Sequence, residues 1–111
     1  MLLKDCPVRD TIDVIHGKWK PLVLVALKPG SRRFGQLCRE VPEAKQKVLT
    51  QQLRELEADG IVSRTVSGTR SLRVEYALTP YGKTLVRVLT AMAEWGALHR
   101  KRRSPISRRN S

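Results

Sequence analysis

Between residues 44 and 59, Lys47, Thr50, Gln51 and Arg54 recur at spacings of three and four. At about 100° per residue they share one face of a helix. Those side chains carry the donors and acceptors that read DNA bases: Arg pairs with guanine in bidentate fashion, Gln does so with adenine, and Thr offers a hydroxyl and a methyl for thymine. Polar residues opposite an apolar stripe also describe any solvated surface helix, so this face takes its meaning from its surroundings. Arg64, Arg70 and Arg73 follow in the next segment, and Arg32 and Arg33 stand at the start of the preceding helix. Positive side chains at several separated points suit contact with phosphates.

Other chemistry is poorly provided for. No arrangement of nucleophile, base and oxyanion donor appears, and no glycine loop that would cradle a phosphate, so an enzyme is disfavoured and no cofactor is expected. Cys6 and Cys38 have no neighbouring Cys or His at metal-site spacing, which leaves no metal site and two reduced thiols. Cys38 shares a helical face with Phe34 and Leu37, as a small core residue would. His16 and His99 are expected at a helix end and on the surface.

The charge balance points to a polyanion. The 111 residues hold 22 Lys plus Arg against 10 Asp plus Glu, a net +12. Neutralising phosphates releases counterions, so nucleic acid is the commonest partner of such a chain. Arg100, Lys101, Arg102, Arg103, Arg108 and Arg109 supply six of those charges in a C-terminal stretch without acids. With 41% hydrophobic residues the chain can bury one modest core, and burial in a partner subunit would add stability. No run approaches the roughly 20 apolar residues of a membrane span, and the N-terminus lacks a secretory apolar region, so a soluble cytoplasmic protein is expected.

The elements that must hold these residues are legible from periodicity. A short helix is expected over 7–16, with Val8, Ile12 and Ile15 on one stripe. A second, from Trp19 to Lys28, is apolar nearly all round and so expected to be central, and Pro29-Gly30 stops it. Ser31 is placed to cap a third helix over 33–41. The fourth, over about 44–59, buries Val48, Leu49, Leu53 and Leu56, and Gly60 closes it. Alternation then takes over through 61–66 and 72–78, a β-hairpin turning at Gly68. Thr79-Pro80 opens a last helix to about residue 99 with the stripe Tyr81, Leu85, Val88, Leu89, Met92 and Trp95. Residues 1–99 thus form one domain, mainly α with a small β-hairpin wing, the layout of a winged helix-turn-helix; residues 100–111 are expected to be a basic, disordered tail.

Five motifs stand in order: Cys6-Pro7, Gly17-Lys18-Trp19-Lys20-Pro21-Leu22, Arg33-Phe34, the run Val48-Leu49-Thr50-Gln51-Gln52-Leu53-Arg54-Glu55-Leu56-Glu57-Ala58-Asp59-Gly60, and Val74-Glu75-Tyr76-Ala77-Leu78-Thr79-Pro80-Tyr81-Gly82. Together they resemble the HxlR-type family of bacterial winged-helix regulators, within the MarR-like superfamily, over nearly everything from Cys6 to Trp95. The resemblance implies a homodimer on an inverted-repeat operator in double-stranded DNA, with the fourth helix in the major groove and the wings at flanking minor grooves; the expected role is that of a transcriptional regulator, taken as a repressor although the sequence does not separate repression from activation. It also implies a dimer interface built by the N-terminal and long C-terminal helices, which bear Val8, Ile12, Leu85, Val88, Leu89, Met92 and Trp95. Lys45 stands where the family commonly has Ser; it cannot cap the fourth helix but can meet a phosphate as a point charge, and it joins Gln46 and Lys47 among the expected DNA contacts. Cys6 resembles the family's N-terminal cysteine, which in some members reacts with oxidants. A helix start flanked by Lys4 and Arg9 favours its thiolate, but members not known as redox sensors carry the cysteine too, so an unreactive structural thiol is the preferred reading and sensing the secondary one.

One competitor of a different class stays open: a basic RNA-binding or ribosome-associated protein. Against it, only 5% of the residues are aromatic, and no exposed platform for stacking bases is evident. No effector is named by the sequence.

Overall fold

The core is assembled by stripes of leucine and valine at helical spacing. In the computed structural model, which describes residues 2–103, five α-helices and a small sheet follow one another: α1 (Val8–Ile15), α2 (Lys20–Leu27), β1 (Arg32–Arg33), α3 (Phe34–Glu40), α4 (Gln46–Ala58), β2 (Val62–Ser67), β3 (Arg73–Leu78) and α5 (Val86–Arg102). Short 3₁₀ turns at Leu3–Asp5 and Gly82–Leu85 precede the first and last helices. Val23, Leu24 and Leu27 of α2 meet Leu37 of α3, Leu49, Leu53 and Leu56 of α4, and Ile61, Val62, Tyr76 and Leu78 of the sheet region. This is the expected mainly helical fold with a β wing, a winged helix-turn-helix in which α3 and α4 are the helix pair.

Several local expectations are corrected. α2 is not covered on all sides: its buried stripe is Lys20, Val23, Leu24 and Leu27, while Leu22 and Val25 face outward. Ser31 does not cap α3. The chain there is extended as β1, and α3 starts after Arg33, whose N–H donates to the Gln36 side-chain oxygen at 2.9 Å. The wing is therefore a three-stranded antiparallel sheet in the order β1-β3-β2, with Arg32 opposite Tyr76 and Arg33 opposite Glu75. A two-residue strand is too short to show a period, which is why the hairpin alone was expected.

The closing helix also departs from expectation. Thr79 does cap, its hydroxyl accepting from the Gly82 N–H at 2.8 Å and donating to the Gly60 carbonyl at 2.6 Å. The Lys83 N–H then bonds to the Thr79 carbonyl, a 3₁₀ turn follows over Gly82–Leu85 with Thr84 N–H bonded to the Tyr81 carbonyl, and only then does α5 begin. α5 continues through Arg102, so Arg100, Lys101 and Arg102, expected in the tail, form its last turn. Residues 104–111, with Arg108 and Arg109, lie outside the described residues.

Two glycines set the geometry around α4 and the wing. Gly60 has φ +74° and ends α4 in the left-handed region, where a side chain is strained. Gly68 has φ +94°, and a Cβ there would press on the Ser71 carbonyl, so the wing turn depends on it.

Candidate nucleic-acid interface

α4 divides cleanly into two faces. Leu49, Leu53 and Leu56 are buried, whereas Lys45 and Gln46 at its start and Lys47, Gln51 and Arg54 along it are exposed, and Thr50 is half-buried. Its start has the predicted weakness: Lys45 occupies the N-cap and makes no side-chain capping bond. The Thr50 hydroxyl donates to the Gln46 carbonyl at 2.9 Å, leaving its methyl and both oxygen lone pairs for outside contacts.

The sheet brings arginine to the same side. Strand pairing sets Arg64 directly opposite Tyr76, so the two side chains share a sheet face, and with Thr50, Arg54 and Glu57 they line a depression of about 380 Å³ between α4 and the wing. Arg33, Arg70 and Arg73 are exposed as well. Arg32 is the exception among the expected phosphate contacts. Its guanidinium is partly engaged within the chain, Nε on Glu40 at 3.2 Å and Nη1 on the Ser31 carbonyl at 3.0 Å.

Below this face lies a group that the sequence did not single out. Lys20 begins the buried stripe of α2 and is 2% exposed; its Nζ meets Glu55 Oε1 at 2.6 Å. Glu55 Oε2 in turn accepts from Gln51 Nε2 at 3.0 Å. The Lys20 ammonium, then the Gln51 amide, hold the Glu55 carboxyl below its usual range. A lysine at the first position of an i, i+3, i+4, i+7 apolar stripe was the signal available, since such a residue must find a carboxylate or leave the core.

The remaining expected residues are more scattered. Val8 and Ile12 of α1 and Val88, Met92 and Trp95 of α5 are exposed, as is Leu98. Leu85 packs partly against the core, and Leu89 is taken into the protomer's own core at 3% exposure, so it offers no free surface. Cys6 is half-buried between the first 3₁₀ turn and α1, its N–H bonded to the Leu3 carbonyl. The Arg9 side chain folds back onto that same carbonyl at 3.1 Å. Cys38 is half-buried against the core, and the exposed His99 ring stacks on Trp95 with centroids 5.2 Å apart. Among the described residues no His, Cys, Asp and Glu group could hold a metal ion, and no helix is long and apolar enough to cross a membrane.

Comparison with known proteins decides the family. The model of the HxlR-like helix-turn-helix family matches residues 14–104. The chain belongs to the HxlR-like family. Among its HxlR-like relatives, an uncharacterized HTH-type transcriptional regulator of Bacillus subtilis, YybR, is 47% identical over 95 residues, covering 86% of this chain and 76% of its own. The redox regulator HypR has been solved in two forms. The reduced form superposes with a TM-score of 0.83 at 46% identity, over 86% of this chain and 94% of HypR. The oxidised form gives 0.79 at 48%, over 83% and 95%. HxlR-like membership makes this a helix-turn-helix DNA-binding protein and not an enzyme.

Proposed function

We propose that the protein is a transcriptional regulator, and most naturally a repressor, that binds an inverted-repeat operator as a homodimer. The observation that carries this is the polar face of α4, on which Gln46, Lys47, Gln51 and Arg54 are exposed and Thr50 half-buried, with Arg64 across a depression from Thr50 and Arg54. A helix of this kind fits the major groove, and the exposed Arg33, Arg70 and Arg73 flank it where phosphates would lie. Lys45 adds a point charge at the same end. The second subunit is supported by apolar exposure: in α5 only Leu89 is buried, while Val88, Met92, Trp95 and Leu98 stand out with Val8 and Ile12 of α1. A solvated monomer gains nothing from such a helix; a partner copy would cover it.

Control through a thiol belongs to the same proposal. Cys6 is the N-terminal thiol, half-buried beside α1, and HypR, a redox regulator by name, is a close structural relative in both its reduced and oxidised forms. Oxidation of Cys6 would act on α1, and through α1 on the proposed dimer surface and the spacing of the two α4 helices.

The test is competition between nucleic acids. Labelled genomic duplex fragments bound by the protein are expected to resist competition by structured RNA, with affinity that falls steeply as salt rises. Displacement by RNA at equal or lower concentration would overturn the proposal in favour of RNA binding.

A further inference from the structure

We infer that Lys20 is a positioning residue for DNA recognition: acting through Glu55, it fixes the side-chain amide of Gln51 in the orientation that complements adenine. The inference rests on α4 being the DNA-reading helix, and it assigns a task to the one buried charge among the described residues.

The chemistry begins with what each group can offer. A lysine ammonium only donates, and an ionised carboxylate only accepts. Glu55 spends Oε1 on the Lys20 Nζ and Oε2 on the Gln51 side chain. An amide facing a carboxylate must turn its NH₂ toward it, so the usual ambiguity between amide oxygen and nitrogen is resolved by the partner. Gln51 is thereby left with one free N–H and with its oxygen outward. Adenine presents in the major groove an N7 acceptor beside an N6 donor, the complementary pair. With its amide reversed, Gln51 would lose its Glu55 partner.

Lys20 is what keeps Glu55 in place. The glutamate is half-exposed and one flexible side chain on a helix surface, where an isolated pair with Gln51 would be weakly ordered. Its other oxygen is tied to an ammonium that cannot swing into solvent, because the Lys20 stem runs in the buried stripe of α2 with Val23, Leu24 and Leu27. A purely stabilising role is a poor explanation for such a lysine. Desolvating a charge is costly, and an apolar side chain of similar volume commonly serves a core as well or better. What the ion pair adds is direction, carried from α2 to the reading face of α4.

The experiment compares wild type, Gln51→Ala, Lys20→Met and Glu55→Gln in selection of duplexes from a random pool, with thermal melting as a check on folding. Met is close in volume to Lys, and its substitution leaves Glu55 free to hydrate. In Glu55→Gln one of the two carboxylate oxygens becomes an NH₂ donor, so the bonds to Lys20 and to Gln51 cannot both be kept as they stand; because it also takes the counter-charge from Lys20, each of the two variants decides the matter should the other fold poorly. The expected result is that all three variants lose preference at the same operator position, keep the rest of the motif, and bind the wild-type operator about tenfold more weakly. Lys20→Met combined with Gln51→Ala is expected to be no weaker than Gln51→Ala alone. The ¹⁵N side-chain amide resonance of Gln51 in the free protein is expected to shift in Lys20→Met. Losses that add in the double variant, or a full wild-type motif in Lys20→Met and Glu55→Gln while Gln51→Ala changes it, would overturn the inference and leave α4 as the reading helix. A full motif in Gln51→Ala would overturn the role of Gln51 itself and the inference with it.

Discussion

Gln51 and Arg54 lie about one helical turn apart on α4, and the two are held very differently. Gln51 is bonded to Glu55, whereas Arg54 is exposed and faces the depression shared with Arg64. Arg54→Ala is therefore expected to cost about 1–3 kcal/mol against the cognate operator and to relax preference at one base position. Competition with singly substituted operators measures this; a uniform loss over all sequences would assign Arg54 to phosphate. Glu55 carries a pH prediction of definite sign. Its carboxyl is held below the usual range, by the Lys20 hydrogen bond first and the Gln51 bond second. Its contribution is thus complete above the unfolded carboxylate value of about 4.3 and is lost as pH falls through the lower folded value. The stability difference between wild type and Lys20→Met is expected to be constant between about pH 8 and pH 5 and to shrink below about pH 4. A difference that varies within that window would contradict the Lys20 pairing. For the thiol, oxidant is expected to change operator affinity in wild type and leave Cys6→Ser unchanged; equal responses would remove Cys6 from control.

At the scale of elements, α4 begins badly and the wing turns tightly. Lys45 leaves the first N–H groups of α4 without a side-chain cap, so Lys45→Ser is expected to stabilise the fold by about 1 kcal/mol, a rise in Tm of several degrees by thermal melting. Gly68→Ala is expected to lower Tm, since it combines a positive φ with contact against the Ser71 carbonyl. The ends of elements were read from sequence wherever a residue has one dominant use: Gly60 after α4, Gly68 in the turn, Thr79 before Pro80. They were misread where two uses compete. Ser31 looks like a cap, but pairing of Arg32 and Arg33 with β3 draws the chain out straight before α3. The polar face of α4 was visible because burial of Leu49, Leu53 and Leu56 leaves its opposite side to the polar residues. Lys20 was hidden because its partner Glu55 is 35 residues away, on another helix. Periodicity along one element says nothing about such a pairing.

For the whole molecule the central matter is how the proposed dimer would hold two reading helices at one distance. α5 is a 17-residue helix with one buried residue, and the rest of its apolar stripe is the surface assigned to the proposed second copy. Trp95→Glu with Met92→Glu is expected to give a monomer by analytical ultracentrifugation and to reduce operator binding at least tenfold, because a single α4 contacts only half of the site. The basic end makes a separate prediction: removing residues 104–111 is expected to weaken binding to every sequence alike and to lessen its salt dependence without altering the preferred motif. The most direct measurement is selection of binding sites by the wild-type protein from random duplexes. The expected result is a two-fold symmetric motif whose half-site centres lie about one helical turn apart, or a small multiple of it. A motif without symmetry, or none at all, would contradict a dimer that reads DNA through α4.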